Sequence, residues 1–303
     1  MRNWLTIISV IIVFPISACK TGKVNNVVIT GYDFTSPDAS VILPDILHEI
    51  SGITHLDSIL FACIQDEKGI LFFYDLAKNE ISNRLEFFTK GDYEGITRVK
   101  DTIYVLRSDG TLFEISDYKS DSAVATPYPT DIPSKDNEGL CYDGENNRLL
   151  IACKDNPGKG DLLKDYRYIF AFDLSSKSLI KEPVFSFDVA SLKEYALNNN
   201  IDLPLKEKKK GSSTEPVLKF RASAIGIHPL TEKLYILSAE DYILFIFDKN
   251  GNIEQMIKLN AGLFNQPEGI TFFDNGDMLI SNEGQGKVVP ATLRRLNYHP
   301  AQN

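Results

Sequence analysis

Four glutamates of this 303-residue chain stand at or just before a glycine in similar phrases: Glu49-Ile50-Ser51-Gly52-Ile53, Glu94-Gly95-Ile96, Glu138-Gly139-Leu140 and Glu268-Gly269-Ile270. A second set of acids, Asp66, Asp109, Asp155, Glu240 and Glu283, closes the apolar runs that follow such phrases. Carboxylates brought together repel, and a site made of them can hold protons to higher pH, recruit Lys or Arg, or bind a cation. For the last, a hard ion such as Ca²⁺ is the natural choice, taking six to eight oxygens at about 2.3–2.6 Å. The expected metal ligands are Glu49, Glu94, Glu138, Glu268, Asp66, Asp155 and Glu283; Arg98, Arg107 and Arg221 are the candidates for ion pairing instead. Acids at strand ends also serve as turn formers and water-facing solubilisers, which is the plainer reading of the same residues.

Covalent chemistry has little to stand on. His228 lies in an Ile227-His228-Pro229 turn and His299 in the tail, while His48 and His55 flank the first phrase, none beside an evident nucleophile and orienting acid. No nucleophile-elbow, P-loop or dinucleotide signature occurs, and Gly284-Gln285-Gly286 is followed by no helix signal. No residue is assigned a catalytic role.

The elements that must position these acids come from a repeat. Aligned on glycine, and counting Ser223-Ala224-Ile225-Gly226-Ile227 as a fifth phrase, the intervals are 43, 44, 87 and 43 residues, inside the propeller-blade range of about 40–50. Each phrase is followed by short β-rich runs such as Thr102-Ile103-Tyr104-Val105-Leu106 and Leu244-Phe245-Ile246-Phe247-Asp248, with hairpin signals such as Asn250-Gly251 between them. The prediction is an all-β β-propeller with five readable four-stranded blades. The 87-residue interval has room for a sixth blade or for one blade with an insertion. An insertion at about 189–217 fits better, because Ser191–Leu197 is helix-like and Lys206 to Ser213 is charged and small. The last blade has only about three strands, so an N-terminal strand at Val27–Tyr32 is expected to complete it and close the ring. Inner-strand starts and second-strand ends then meet at one mouth of the central channel, and the acids gather there.

Ahead of the propeller, Met1-Arg2-Asn3, an apolar run from Trp4 to Pro15 and Ile16-Ser17-Ala18-Cys19 read as a signal peptide over 1–18. The last tetrad resembles the bacterial lipobox, which implies that Cys19 is lipidated. Residues 19–26 are the lipidated cysteine and tether, with a reach of roughly 25 Å, and 27–298 form the single domain. The net charge of −9 speaks against a nucleic-acid surface. The remaining cysteines, Cys63, Cys141 and Cys153, have no metal-site spacing and are expected as buried packing residues. The basic stretch Lys206, Lys208, Lys209 and Lys210 reads as a solvated loop.

With the Glu49–Ile53 opening, Gln65-Asp66-Glu67, the repeated Glu-Gly-Ile and the Ser223–Pro229 phrase, the chain resembles the SdiA-regulated (YjiK-like) family from about Leu43 to Leu296. The resemblance implies an envelope-associated β-propeller and supplies no catalytic residues. Ser223-Ala224 in place of Glu-Gly would break any acidic ring at the fourth phrase. The expected function is an envelope-anchored lipoprotein propeller acting as a binding and recognition module, with Ca²⁺ at its acidic mouth and a small-molecule or protein ligand. It would be held to a membrane by its lipid, on the periplasmic face of the outer membrane because Lys20–Lys23 lacks an acidic export tract. The alternative is a metal-dependent hydrolase of gluconolactonase type.

Overall fold

A computed structural model describes residues 31–120, 123–155, 165–207 and 213–300. Five four-stranded antiparallel sheets form five blades. The innermost strands are Ile50–His55, Tyr93–Val99, Asn137–Asp143, Ala224–Ile227 and Pro267–Phe272. Each touches the next in that order, and the fifth returns to the first, which closes the ring. The second strands, Leu60–Gln65, Thr102–Arg107, Arg148–Cys153, Leu234–Ser238 and Met278–Asn282, are nearly all apolar and buried, since they are covered on both faces by neighbouring blades. Apolar clusters fill the wedges between successive blades.

The fifth blade is completed from the N-terminal side, though by a different strand from the one expected. Ala39–Ile42 pairs with Thr292–Leu296 and forms the outer edge. Val27–Thr30 lies outside the described residues, and Gly31 and Tyr32 are not in a strand. The closing strand is mostly exposed, with only Val41 half-buried, so it lacks the apolar signature that made Val27–Tyr32 attractive. Tyr32 is instead an anchor. It is buried against Phe34, His228, Tyr235 and Tyr298 and donates a hydrogen bond to the Gly276 carbonyl.

The wide interval between the third and fourth inner strands holds a helix and a pair of short strands. Helix Val189–Asn198 is capped by Asp188, whose carboxylate accepts from Ala190 N at 3.0 Å and Ser191 Oγ at 2.7 Å, and it buries Leu192 and Ala196 against the third and fourth blades. A small hairpin, Leu205–Glu207 with Thr214–Pro216, follows and carries Lys206; Lys208, Lys209 and Lys210 lie outside the described residues. Cys63, Cys141 and Cys153 are free and buried.

Strand register corrects the alignment of the fourth repeat. Gly52, Gly95, Gly139 and Gly269 pair with Ile64, Leu106, Ala152 and Ser281, and the residue pairing at that level in the fourth blade is Ala224, opposite Leu237. Gly226 sits two residues further along. The next residue of each inner strand, Ile53, Ile96, Leu140, Ile225 or Ile270, is a branched side chain, and four of them fill the space left by the glycine of the preceding blade: Ile96 at Gly52, Leu140 at Gly95, Ile225 at Gly139 and Ile53 at Gly269. A Cβ on Gly95 would stand 2.7 Å from Leu140 Cβ and 2.8 Å from the Glu138 carbonyl oxygen, and one on Gly52 3.0 Å from Ile96 Cγ2. Glycine is therefore required by close approach at the axis. Gly95→Ala is expected to lower unfolding free energy by about 1–3 kcal/mol, read from urea denaturation midpoints at unchanged slope.

Candidate functional site

At the end of the channel where inner strands begin, four of the five ladders slip by one residue. The extra residue is Ser51, Glu94, Glu138 or Glu268, always the one before the glycine. A bulge frees its residue from the ladder and re-aims the side chain, and bulges recur beside functional sites for that reason. The equivalent residue of the fourth blade is Ser223. Ser51 and Ser223 each donate to the carbonyl one residue ahead of the next blade's bulge, Tyr93 O at 2.6 Å and Pro267 O at 2.7 Å. The inner level thus reads Ser, Glu, Glu, Ser, Glu around the axis, and Glu49, two residues earlier, stands off it.

A second level comes from the residues that follow each second strand: Asp66, Ser108, Lys154, Ala239 and Glu283. Four of them donate their backbone N–H to the segment leading into their own inner strand, at Glu49 O (3.3 Å), Asp92 O (2.8 Å), Asp136 O (2.9 Å) and Gln266 O (2.9 Å). Lys154 is the residue that the spacing of acids concealed. It occupies the position that Asp66 and Glu283 hold in other blades, and its ammonium pairs with the Glu138 carboxylate. Asp109, Asp155 and Glu240 lie one step further out and are matched by bases. Arg107 reaches Asp109 at 2.8 Å, and Arg221 reaches both Asp155 and Glu240 at 2.8 Å, with Lys219 also on Glu240.

Electrostatics at the inner level are one-sided. Burial, then Glu138 and Asp92, pushes the Glu94 carboxyl up to about 9. Burial, then the facing Glu268, pushes Glu138 up to about 8 against the pull of Lys154. Glu268 also rises to about 8 through burial, with Lys154 and a Gln266 hydrogen bond opposing and Glu283 and Glu94 adding. On the rim, burial and Glu49 raise Asp66 to about 6, and Glu283 is raised by burial, Asp66 and Glu49. Burial works against the charge of Lys154, but Glu138, Glu268 and Asp136 outweigh it and hold the ammonium protonated.

Of the seven expected metal ligands, Glu94, Glu138 and Glu268 face one another, Glu49, Asp66 and Glu283 form a cluster on the first and fifth blades, and Asp155 is turned to Arg221. Among the described residues no three Asp, Glu, His or Cys side chains are arranged to hold a metal ion. The residues do not fit a Ca²⁺ cage, because the cation at this level is a lysine and the remaining acids are spread over two clusters. Arg107 and Arg221 serve outer acids, while Arg98 lies at the far end of its strand, near His55.

A cavity of about 320 Å³ opens here between the third, fourth and fifth blades, walled by Glu138, Glu268, Lys154, Lys219, Arg221 and Tyr242 among others. Two residues deeper, the buried side chains of Ile53, Ile96, Leu140, Ile225 and Ile270 make an apolar floor. Glu138 is 4 % exposed, and its Oε2 has no hydrogen-bond partner among the described residues.

This is a five-bladed propeller with a carboxyl-rich cup at one end of its axis. The SdiA-regulated family matches residues 26–288, and the chain belongs to that family. No curated protein matches it. Among solved structures it is similar to glutaminyl cyclase of Myxococcus xanthus, at 14 % identity over 88 % of this chain and 97 % of that one, TM-score 0.55. It is also similar to the PQQ-bound aldose sugar dehydrogenase of Streptomyces coelicolor, at 10 % identity over 86 % and 99 %, TM-score 0.53. These likenesses show the propeller fold alone.

Between about pH 5 and 9 the folded protein retains protons on Glu94, Glu138 and Glu268 that an unfolded chain has released, so stability falls as pH rises through this window. Thermal unfolding midpoints are expected to drop from pH 5.5 to pH 9. Glu94→Gln, which imitates the protonated acid, should leave the midpoint unchanged near pH 5 and raise it near pH 9. Lys154→Met should destabilise near pH 9, where Glu138 is ionised, by about 2 kcal/mol, less than the 3–5 of a fully buried pair because Lys154 is 29 % exposed.

Proposed function

We propose that the protein is a lipid-anchored binding module of the cell envelope that takes its ligand, a small molecule or a protein segment, in the carboxyl cup. The observation that carries this reading is Glu138 Oε2. A buried polar atom left without a partner costs about 1–3 kcal/mol, and this one, unpartnered among the described residues, stands in the wall of an open cavity beside Glu268, whose carboxyl is also pushed upward by burial. Sites that hold such strain are sites of function.

The path of the chain supports the anchored arrangement. Tyr32 packs beside His228 and Gly276, and the carbonyl of Gly31 accepts from His299 N at 2.8 Å. His228 and Gly276 follow the ends of inner strands, whereas the carboxyls stand at inner-strand starts. A chain tethered through Cys19 therefore joins the propeller on the face away from the cup, and an outer-membrane anchor would turn the cup to the periplasm. Among the described residues no helix is long and apolar enough to cross a membrane. The hydrolase alternative needs a metal held by at least three side chains, and the donor arrangement lends it no support.

Two measurements test this reading. Metabolic labelling with palmitate and fractionation should place the full chain in membranes, and Cys19→Ala should abolish both label and membrane recovery. Calorimetry with millimolar Ca²⁺ should leave the unfolding midpoint unmoved; a stabilisation lost in Glu268→Gln would restore the metal reading.

A further inference from the structure

We infer that the cup receives a primary ammonium group, inserted head-first toward Glu138 and Glu268 with its carbon stem running outward past Tyr242. This inference rests on the proposal that the cup is the binding site, and it names the chemistry of the ligand.

The charges of the cavity wall decide its sign preference. Its bases are engaged: Lys219 with Glu240, Arg221 with Glu240 and Asp155, and Lys154 with Glu138. Its acids are not. Among the described residues Lys154 is the single cation at the level of Glu94, Glu138 and Glu268, and Glu138 still offers an oxygen with no partner among them. An anion entering here would have to displace existing pairs, while a cation meets acceptors that are already desolvated and aimed.

The kind of cation follows from Lys154 itself. Its Nζ is a primary ammonium, three donors on an unbranched stem, and the site already seats one against Glu138. A second can offer its three N–H groups to Glu138 Oε2 and the Glu268 carboxylate. A divalent metal asks for at least three converging side-chain donors, which the described residues do not provide. The apolar floor of Ile53, Ile96, Leu140, Ile225 and Ile270 has no acceptor for a deeper charge and halts the head group at the carboxyl level.

Binding also moves protons. The groups facing these acids are Asp92, Asp136, Glu283 and Lys154; burial and the three acids keep part of the carboxyl set protonated near neutral pH against the pull of Lys154. An arriving ammonium takes over the role of those protons. The protonated carboxyl loses its hydrogen to solvent as the carboxylate–ammonium pair forms, and the ammonium keeps all of its own.

The test is isothermal titration of the full-length protein with n-butylamine, sodium butyrate and 1-butanol near pH 7.5, where an alkylammonium of lysine-like pKa stays charged. Repeating the titration in buffers of different ionisation heat counts the protons. Saturable binding of n-butylamine is expected, with proton release and at least about tenfold weakening in Glu138→Gln, the loss of one charge-assisted hydrogen bond. Should Glu138→Gln fail to fold, Glu268→Gln takes its place. Binding of butyrate or 1-butanol instead, lost in the same variant, would overturn the ammonium assignment and leave the cup as the binding site. Binding of none of the three, or binding indifferent to both variants, would overturn the ammonium assignment and count against the cup itself.

Discussion

Everything at the axis depends on how closely five inner strands can approach one another. A glycine on one strand leaves a hollow, and the branched side chain that follows the next blade's glycine fills it: Ile96 at Gly52, Leu140 at Gly95, Ile225 at Gly139 and Ile53 at Gly269. This repeated fit sets the radius of the ring. It also fixes what lies on either side: a dry apolar layer below, and above it the bulged residue that the ladder releases. The glutamates converge because they precede the glycines, and the glycines are there because no side chain fits.

From that geometry follows an electrostatic imbalance that packing alone does not relieve. Among the described residues three carboxyls and one ammonium share a level of the channel, walled by backbone and closed beneath by hydrocarbon. Outer acids found guanidinium or ammonium partners within the same or the neighbouring blade; the inner ones did not, except for Glu138 on one of its oxygens. Proton retention is the response of a site with more acid than base, and it makes the cup receptive to an external cation.

Much of this was legible in the residues. The second strands announce themselves as continuous apolar runs, the Glu-Gly-Ile phrases recur at blade spacing, and Ser191–Leu197 shows its helix within an otherwise β-rich chain. The closing strand Ala39–Ile42 was not legible, because an outer edge exposed to water carries little hydrophobic pattern. Nor was the fourth level: Gly226 invites alignment with the other glycines, and only hydrogen-bond register shows that Ala224 holds the place. The grouping of the acids followed from strand polarity, whereas their charge partner did not. Lys154 stands where Asp66 and Glu283 stand in other blades, and counting carboxylates directed attention to the neighbouring Asp155 and to a metal in place of the ammonium that stands there. Side-chain pairing is a tertiary property, and nothing in the spacing of acids reveals the base that stands among them.

The central claim is that Glu94, Glu138 and Glu268 remain protonated into the neutral and alkaline range because they are buried together. Site-resolved carbon NMR of the glutamate carboxyls, titrated from pH 4 to 10 in the folded protein, tests it directly. The account predicts three side chains, assigned through single Glu→Gln variants at these positions, that titrate well above the rest, centred at about 8 to 9. Midpoints for all three in the ordinary glutamate range near 4 to 5 would contradict it.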